Sequence, residues 1–206
     1  VHPNKHLFVF GFGRDASAQA QLVVRFTDGE RQSRTFDVLT RDYRIDRVNG
    51  VESKYVSPPK SVIERIQQDA ALVGQARERM SFRQDFLYPV VQPAKGRISG
   101  VYGSQRIFNG VPKRPHFGLD IAGPVGSPVV APWPGKVVLA EEDLYYSGGT
   151  LILDHGMGVT STYIHLSKLH VTVGDEVSQG QLVADIGATG RVTGPHLDWR
   201  LNWFKR

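Results

Sequence analysis

Pro115-His116-Phe117-Gly118-Leu119-Asp120-Ile121-Ala122 is the stretch from which the fold of this 206-residue chain is read. A proline at its start and a glycine at its middle argue against a helix. In an extended chain side chains alternate, so His116, Gly118 and Asp120 share one face, and Gly118 leaves open space between two polar groups. Gly194-Pro195-His196-Leu197-Asp198-Trp199 follows the same logic, with His196 and Asp198 on one side and Leu197 and Trp199 on the other. Tyr163 and His165 repeat the pattern a third time. Three strand segments that each present polar groups on one face are what a site on the concave side of a sheet requires.

Around these segments, strand-like runs alternate with glycine-rich turns from Ile98 to the C-terminus, with no second helix. The 22 glycines and 12 prolines have no fixed period, which again favours many turns between short strands. Upstream, residues 7–12, 21–26, 35–39 and 43–48 read as short strands of a small antiparallel β module. After Pro58 and Pro59, apolar residues Val62, Ile63, Ile66, Val73, Ala76 and Met80 recur at helical spacing, predicting one amphipathic helix at about residues 60–80. The run 86–91 ends at Pro93, which sets the expected domain boundary: residues 1–92 for the N-terminal module with its helix and 93–206 for the second domain.

Composition narrows the chemistry. The chain has no cysteine, so disulfides, thiolate metal sites and thiol nucleophiles are excluded, and any metal must use His, Asp or Glu. The net charge of +5 favours anionic partners. It is spread evenly: 14 basic and 11 acidic residues in 1–92, then 11 and 9 in 93–206. No basic arm, helix-turn-helix pattern or stacking-aromatic motif accompanies it, so nucleic acid is not the expected partner. No apolar run approaches the ~18 residues of a membrane span. The chain opens on Val1, and a leader or anchor removed from it is the expectation. Gly11 and Gly13, like Gly187, Gly190 and Gly194, lack the context of a nucleotide loop and read as turn glycines.

Five of the seven histidines, His116, His155, His165, His170 and His196, fall in the second domain. His116-x-x-x-Asp120, Tyr163-x-His165-Leu166 and Gly194-Pro195-His196-x-Asp198, in that order, resemble the lysostaphin-type (LytM-like) zinc metallopeptidase family. The resemblance runs from about Ile98 to Trp203 and includes Phe108-Asn109-Gly110, Gly126-Ser127-Pro128-Val129 and Val173-Gly174-Asp175. It implies an antiparallel β peptidase domain, one Zn2+ ion and hydrolysis of peptide bonds in bacterial peptidoglycan, hence a place in the cell envelope, periplasmic or secreted. It further implies that the N-terminal module is sandwich-like. His116 and Asp120 match two zinc ligands, and His165 and His196 match the two catalytic histidines that do not bind metal.

The third ligand departs from the family, which closes the site with a His-x-His pair where this chain has His196-x-Asp198. Aspartate is a normal zinc ligand, so Asp198 is the expected third one. Two carboxylates cancel the ion's 2+ charge, whereas the usual set leaves +1. A weaker Lewis acid follows, with slower chemistry or a more alkaline optimum, and Asp198→His is expected to tighten zinc or raise activity. The alternative is a catalytically weak or inactive family member that binds cell wall or activates another hydrolase. His155 reads as structural, His170 as a surface strand residue, Arg106 as a loop residue near the cleft and Tyr163 as a packing residue or a donor to substrate. Val173-Gly174-Asp175 to Gly180-Gln181 also resembles a biotinyl or lipoyl hairpin, but no lysine sits at its tip.

Overall fold

The computed structural model describes residues 11–49 and 58–204. His2, His6 and most of the expected strand 7–12 lie outside the described residues. The chain divides into two compact units, Val1–Arg44 and Ile45–Arg206. In the first, β1 (Gln19–Arg25) and β2 (Arg31–Asp37) form an antiparallel hairpin with Gln19 opposite Asp37 and Arg25 opposite Arg31. Gly29 closes its turn at φ +93°, a conformation that glycine adopts without steric cost.

In the second unit, β3 (Ile45–Val48) runs parallel to β5 (Gln105–Phe108), which pairs in turn with β6 (Val111–Pro112). The run expected to complete the N-terminal module therefore joins the larger unit instead. Arg106, expected in a loop, lies within β5. The one α-helix among the described residues, α1 (Ile63–Arg77), is shorter at both ends than the predicted span.

A large antiparallel sheet dominates the second unit. Its remaining strands are β4 (Arg97–Gly100), β7 (Leu119–Ala122), β8 (Pro128–Val130), β9 (Gly135–Leu144), β10 (Gly148–Gly156), β11 (Val159–Leu169), β12 (Glu176–Val177), β13 (Leu182–Ile186) and β14 (His196–Trp203). They run in the order β12-β9-β10-β11-β14-β7-β4, with β13 pairing both β11 and β8. The fold is mainly β, as the turn-rich composition predicts.

Strand alternation divides the buried residues between two faces. Leu151 and Leu153 of β10 join Ile121, Tyr163, Leu166 and Leu197 in the main core. Ile152, between them, packs with Val138, Leu139 and Leu144 against Ala76 and Val73 of α1. Every residue of β10 is consequently buried, because one face meets the core and the other meets the helix. Polar contacts fix the helix there: Arg65 donates to the carboxylate of Asp143 at 2.8 Å, and Asp69 accepts the Tyr145 N–H at 2.7 Å.

Candidate metal centre

The register of β7 against β14 places Asp120 directly opposite Asp198, and Ile121 opposite Leu197. Ile121 and Leu197 are completely buried in the core, so alternation turns both carboxylates to the other face. His116 precedes β7 in an extended segment, tied at both backbone groups: its N–H donates to Ser104 at 2.8 Å and its carbonyl accepts from Gly103 at 2.7 Å. One ligand atom from each of His116, Asp120 and Asp198 falls within 4.8 Å of the others. His116 Nε2 lies 3.1 Å from an oxygen of Asp120, and His116 Nδ1 lies 3.8 Å from an oxygen of Asp198.

The donor set fits a cation. His116 Nε2 and Asp120 Oδ1 are both sealed from solvent, and although they lie 3.1 Å apart neither forms a well-aligned hydrogen bond. Orphaned buried lone pairs converging on one point are costly unless something electrophilic takes them. Imidazole nitrogen and carboxylate oxygen are ordinary zinc donors, and three protein ligands leave an open position. Burial on its own would raise the Asp120 carboxyl, but His116, His196 and Arg200 outweigh it and hold the group below its ordinary value. Asp120 therefore stands ready as an anion.

Two glycines make room for these carboxylates. A Cβ on Gly118 would sit 2.0 Å from Asp198 Oδ1, and one on Gly100 would sit 2.1 Å from Asp120 Oδ2. The space at Gly118 is legible in the sequence through alternation. That at Gly100 is not, because it arises only when β4 pairs with β7 and sets Gly100 opposite Asp120.

Two further histidines stand beside the cluster. His196 Nε2 is 3.8 Å from an oxygen of Asp120, and the His196 and His165 rings lie 4.9 Å apart. Both rings have Nδ1 on a backbone carbonyl, His165 on Thr189 at 2.9 Å and His196 on Gly194 at 2.8 Å. A neutral imidazole must donate from Nδ1 to a carbonyl, so Nε2 is the free lone pair in each. Burial is the main cause that lowers the His165 pKa, with the neighbouring His196 adding to it.

His165 also has φ +67°, the left-handed region that non-glycine residues adopt uncommonly. Its N–H is held by the Ser147 carbonyl at 2.8 Å. This distortion breaks the strand alternation. Tyr163, expected to share a face with His165, is wholly buried in the core, and its hydroxyl pairs with Ser161 at 2.8 Å. A role for Tyr163 as donor to substrate is therefore excluded by its position.

His155 is fully buried, bridging the Pro134 carbonyl at 2.7 Å and the Ser161 hydroxyl at 2.6 Å, away from the cluster. His170 pairs with Asp185 at 3.0 Å just after β11. The residue that sequence reasoning missed is Arg200. Two positions beyond Asp198 on β14, it donates from Nε to Oδ1 at 2.9 Å and from Nη2 to Oδ2 at 2.5 Å. Alternation along β14 places it on the same face as His196 and Asp198.

Comparison with known proteins gives a consistent result. The model of peptidase family M23 matches residues 114–206. The solved structure of a Pseudomonas aeruginosa protein described as a peptidase M23 is 30% identical, covers 93% of this chain and 72% of its own, and superposes with a TM-score of 0.73. Peptidoglycan DD-endopeptidase ShyA of Vibrio cholerae is 42% identical over 116 residues, which are 55% of this chain and 26% of that protein. Lysostaphin of Staphylococcus staphylolyticus is 41% identical over 86 residues, 41% of this chain and 18% of its own length. The chain thus spans about a quarter or less of these two curated relatives.

Proposed function

The chain belongs to peptidase family M23, and from that premise we propose that it is a zinc-dependent endopeptidase that hydrolyses peptide bonds in bacterial peptidoglycan. His116, Asp120 and Asp198 are its metal ligands, and His165 and His196 its catalytic histidines. The observation that carries this reading is the convergence of buried His116 Nε2 and Asp120 Oδ1, neither in a well-aligned hydrogen bond, with the Asp198 carboxylate, two imidazoles standing alongside. Zinc bound by such a set supplies Lewis acidity, which polarises a scissile carbonyl and acidifies a water molecule.

The chain's own residues do the rest. His165, kept neutral by burial and with its Nδ1 proton committed to Thr189, offers Nε2 as the proton acceptor for the attacking water. His196 holds Nδ1 on Gly194, so only Nε2 faces the site; in its doubly protonated form it donates from there to the developing oxyanion or to the leaving amine. The bond from His165 Nδ1 to the Thr189 carbonyl orients its ring before substrate arrives, so that the orientation is not lost as entropy during reaction.

The substrate class sets the location as the bacterial cell envelope, periplasmic or secreted. A net charge of +5 suits an acidic wall polymer. No helix among the described residues is long and apolar enough to cross a membrane. The test is release of new amine groups from purified peptidoglycan. Release that disappears on chelation and in His116→Ala supports the proposal. Zinc bound without release would instead favour a wall-binding or hydrolase-activating protein that has kept the fold.

A further inference from the structure

Asp198 and Arg200 form a fork-to-carboxylate pair within the site itself. Both oxygens of Asp198 are taken, one by Nε and one by Nη2, and the Asp198 side chain is only 4% exposed. A carboxylate so deeply buried needs a cation or a metal beside it. The pair also has a built seat. Gly118 lies against both partners: a Cβ there would be 2.0 Å from Asp198 Oδ1 and 2.9 Å from Arg200 Cγ.

Arginine does not exclude a metal. An ionised carboxylate has about four lone-pair positions, and a bidentate guanidinium uses one on each oxygen. Each oxygen of Asp198 keeps another for an ion held with His116 and Asp120. Charge bookkeeping then changes from what the ligands alone suggest. A 2+ ion, two carboxylates and Arg200 sum to +1, the same as a 2+ ion with two neutral imidazoles and one carboxylate.

We propose that Arg200 is a positioning residue of the metal site, locking Asp198 in ligand geometry and cancelling its charge, so that the Asp198–Arg200 pair stands in for a neutral imidazole. This rests on the reading of His116, Asp120 and Asp198 as zinc ligands. It reverses the expectation drawn from the ligand types alone. With Arg200 in place, an imidazole at position 198 leaves an unpaired guanidinium facing a cation. The neighbouring arginines add to that repulsion. Arg77, on the same face, donates to Thr162 at 2.9 Å, and its own pKa is lowered to about 10 by burial and by the charges of Arg200 and Arg114.

The experiment is a cycle of zinc dissociation constants, measured on the full chain by competition with a chromogenic chelator, for wild type, Arg200→Gln, Asp198→His and the double variant. Circular dichroism melting confirms that each is folded. Arg200→Gln alone should weaken zinc by about tenfold or more, the usual cost of losing a residue that orients a ligand. Asp198→His alone should also weaken it. Adding Arg200→Gln to Asp198→His should strengthen zinc by about tenfold, so the same substitution changes sign with the residue beside it. An Arg200→Gln effect of the same sign and size in both backgrounds, or Asp198→His binding as tightly as wild type, overturns the proposal. If Asp198→His does not fold, Asp198→Asn, equally neutral, carries the same comparison. His116→Ala tests the ligand set separately: unchanged zinc affinity there overturns the ligand assignment itself, independently of Arg200.

Discussion

Gly118→Ala places one methyl group where the site has no room for it. The new Cβ would meet Asp198 Oδ1 at 2.0 Å, Asp198 Cγ at 3.0 Å and Arg200 Cγ at 2.9 Å. Gly118 is not in the left-handed region, so the backbone tolerates alanine and the collision is the whole effect. Ordinary contact between carbon and oxygen requires roughly 3.2 Å or more, so the Asp198 carboxylate must retreat by about 1 Å and drag Arg200 with it. A displacement of about 1 Å costs a catalytic site on the order of a hundredfold in rate. A disturbed ligand costs about ten- to a hundredfold in metal affinity. The global penalty is that of overpacking, about 1–3 kcal/mol, which is a few degrees in melting temperature for a chain of this size. The assay pairs chelator competition for zinc with amine release from peptidoglycan, using Gly13→Ala as control because nothing lies within 4 Å of that position. Wild-type zinc affinity together with a wild-type rate in Gly118→Ala would refute the placement of Asp198 in the site.

The remaining predictions concern the histidines. His165→Gln should lose about a hundredfold to ten-thousandfold in hydrolysis while keeping its zinc, since His165 is a proton acceptor and not a ligand; parallel loss of metal would contradict that division of roles. His155 is buried and its pKa is lowered by that burial, against the raising effect of its bond to Pro134. The folded protein therefore resists protonation that the unfolded chain accepts. Stability from this group is complete above the ordinary histidine value of about 6.5 and is lost as pH falls below it toward the folded value. Melting temperature should drop between about pH 7.5 and 5, and the drop should shrink in His155→Gln. An identical drop in both proteins would assign the acid sensitivity elsewhere.

What could be read from the sequence depended on which residues obey simple alternation. His116, Gly118 and Asp120, and His196 with Asp198, lie on regular or extended backbone, so a period of two was enough to bring their polar groups to one face. Tyr163 and His165 broke that rule, because the left-handed conformation at His165 turns its side chain out of step with the strand. No local signal announces such a distortion. Gly100 and Gly187 act through pairing with strands distant in sequence: a Cβ on Gly187 would lie 2.4 Å from the Ser167 nitrogen and 2.6 Å from the His165 carbonyl oxygen. The helix was legible from its apolar spacing. Its attachment to the sheet through Arg65, Asp69 and the apolar cluster around Ile152 was not, because amphipathicity shows that a face is buried without showing against what. Arg200 follows the same period of two as His196 and Asp198, and its charge enters the balance of the site.

On this reading of the metal centre, a carboxylate occupies the third ligand position. Zinc K-edge absorption of the purified, zinc-loaded protein tests it most directly, by counting imidazole ligands from their outer-shell scattering. The expected spectrum has a single imidazole, His116, with oxygen donors from Asp120 and Asp198, and loses that imidazole signal in His116→Ala. A spectrum with two or more imidazoles, or one unchanged in His116→Ala, would contradict it.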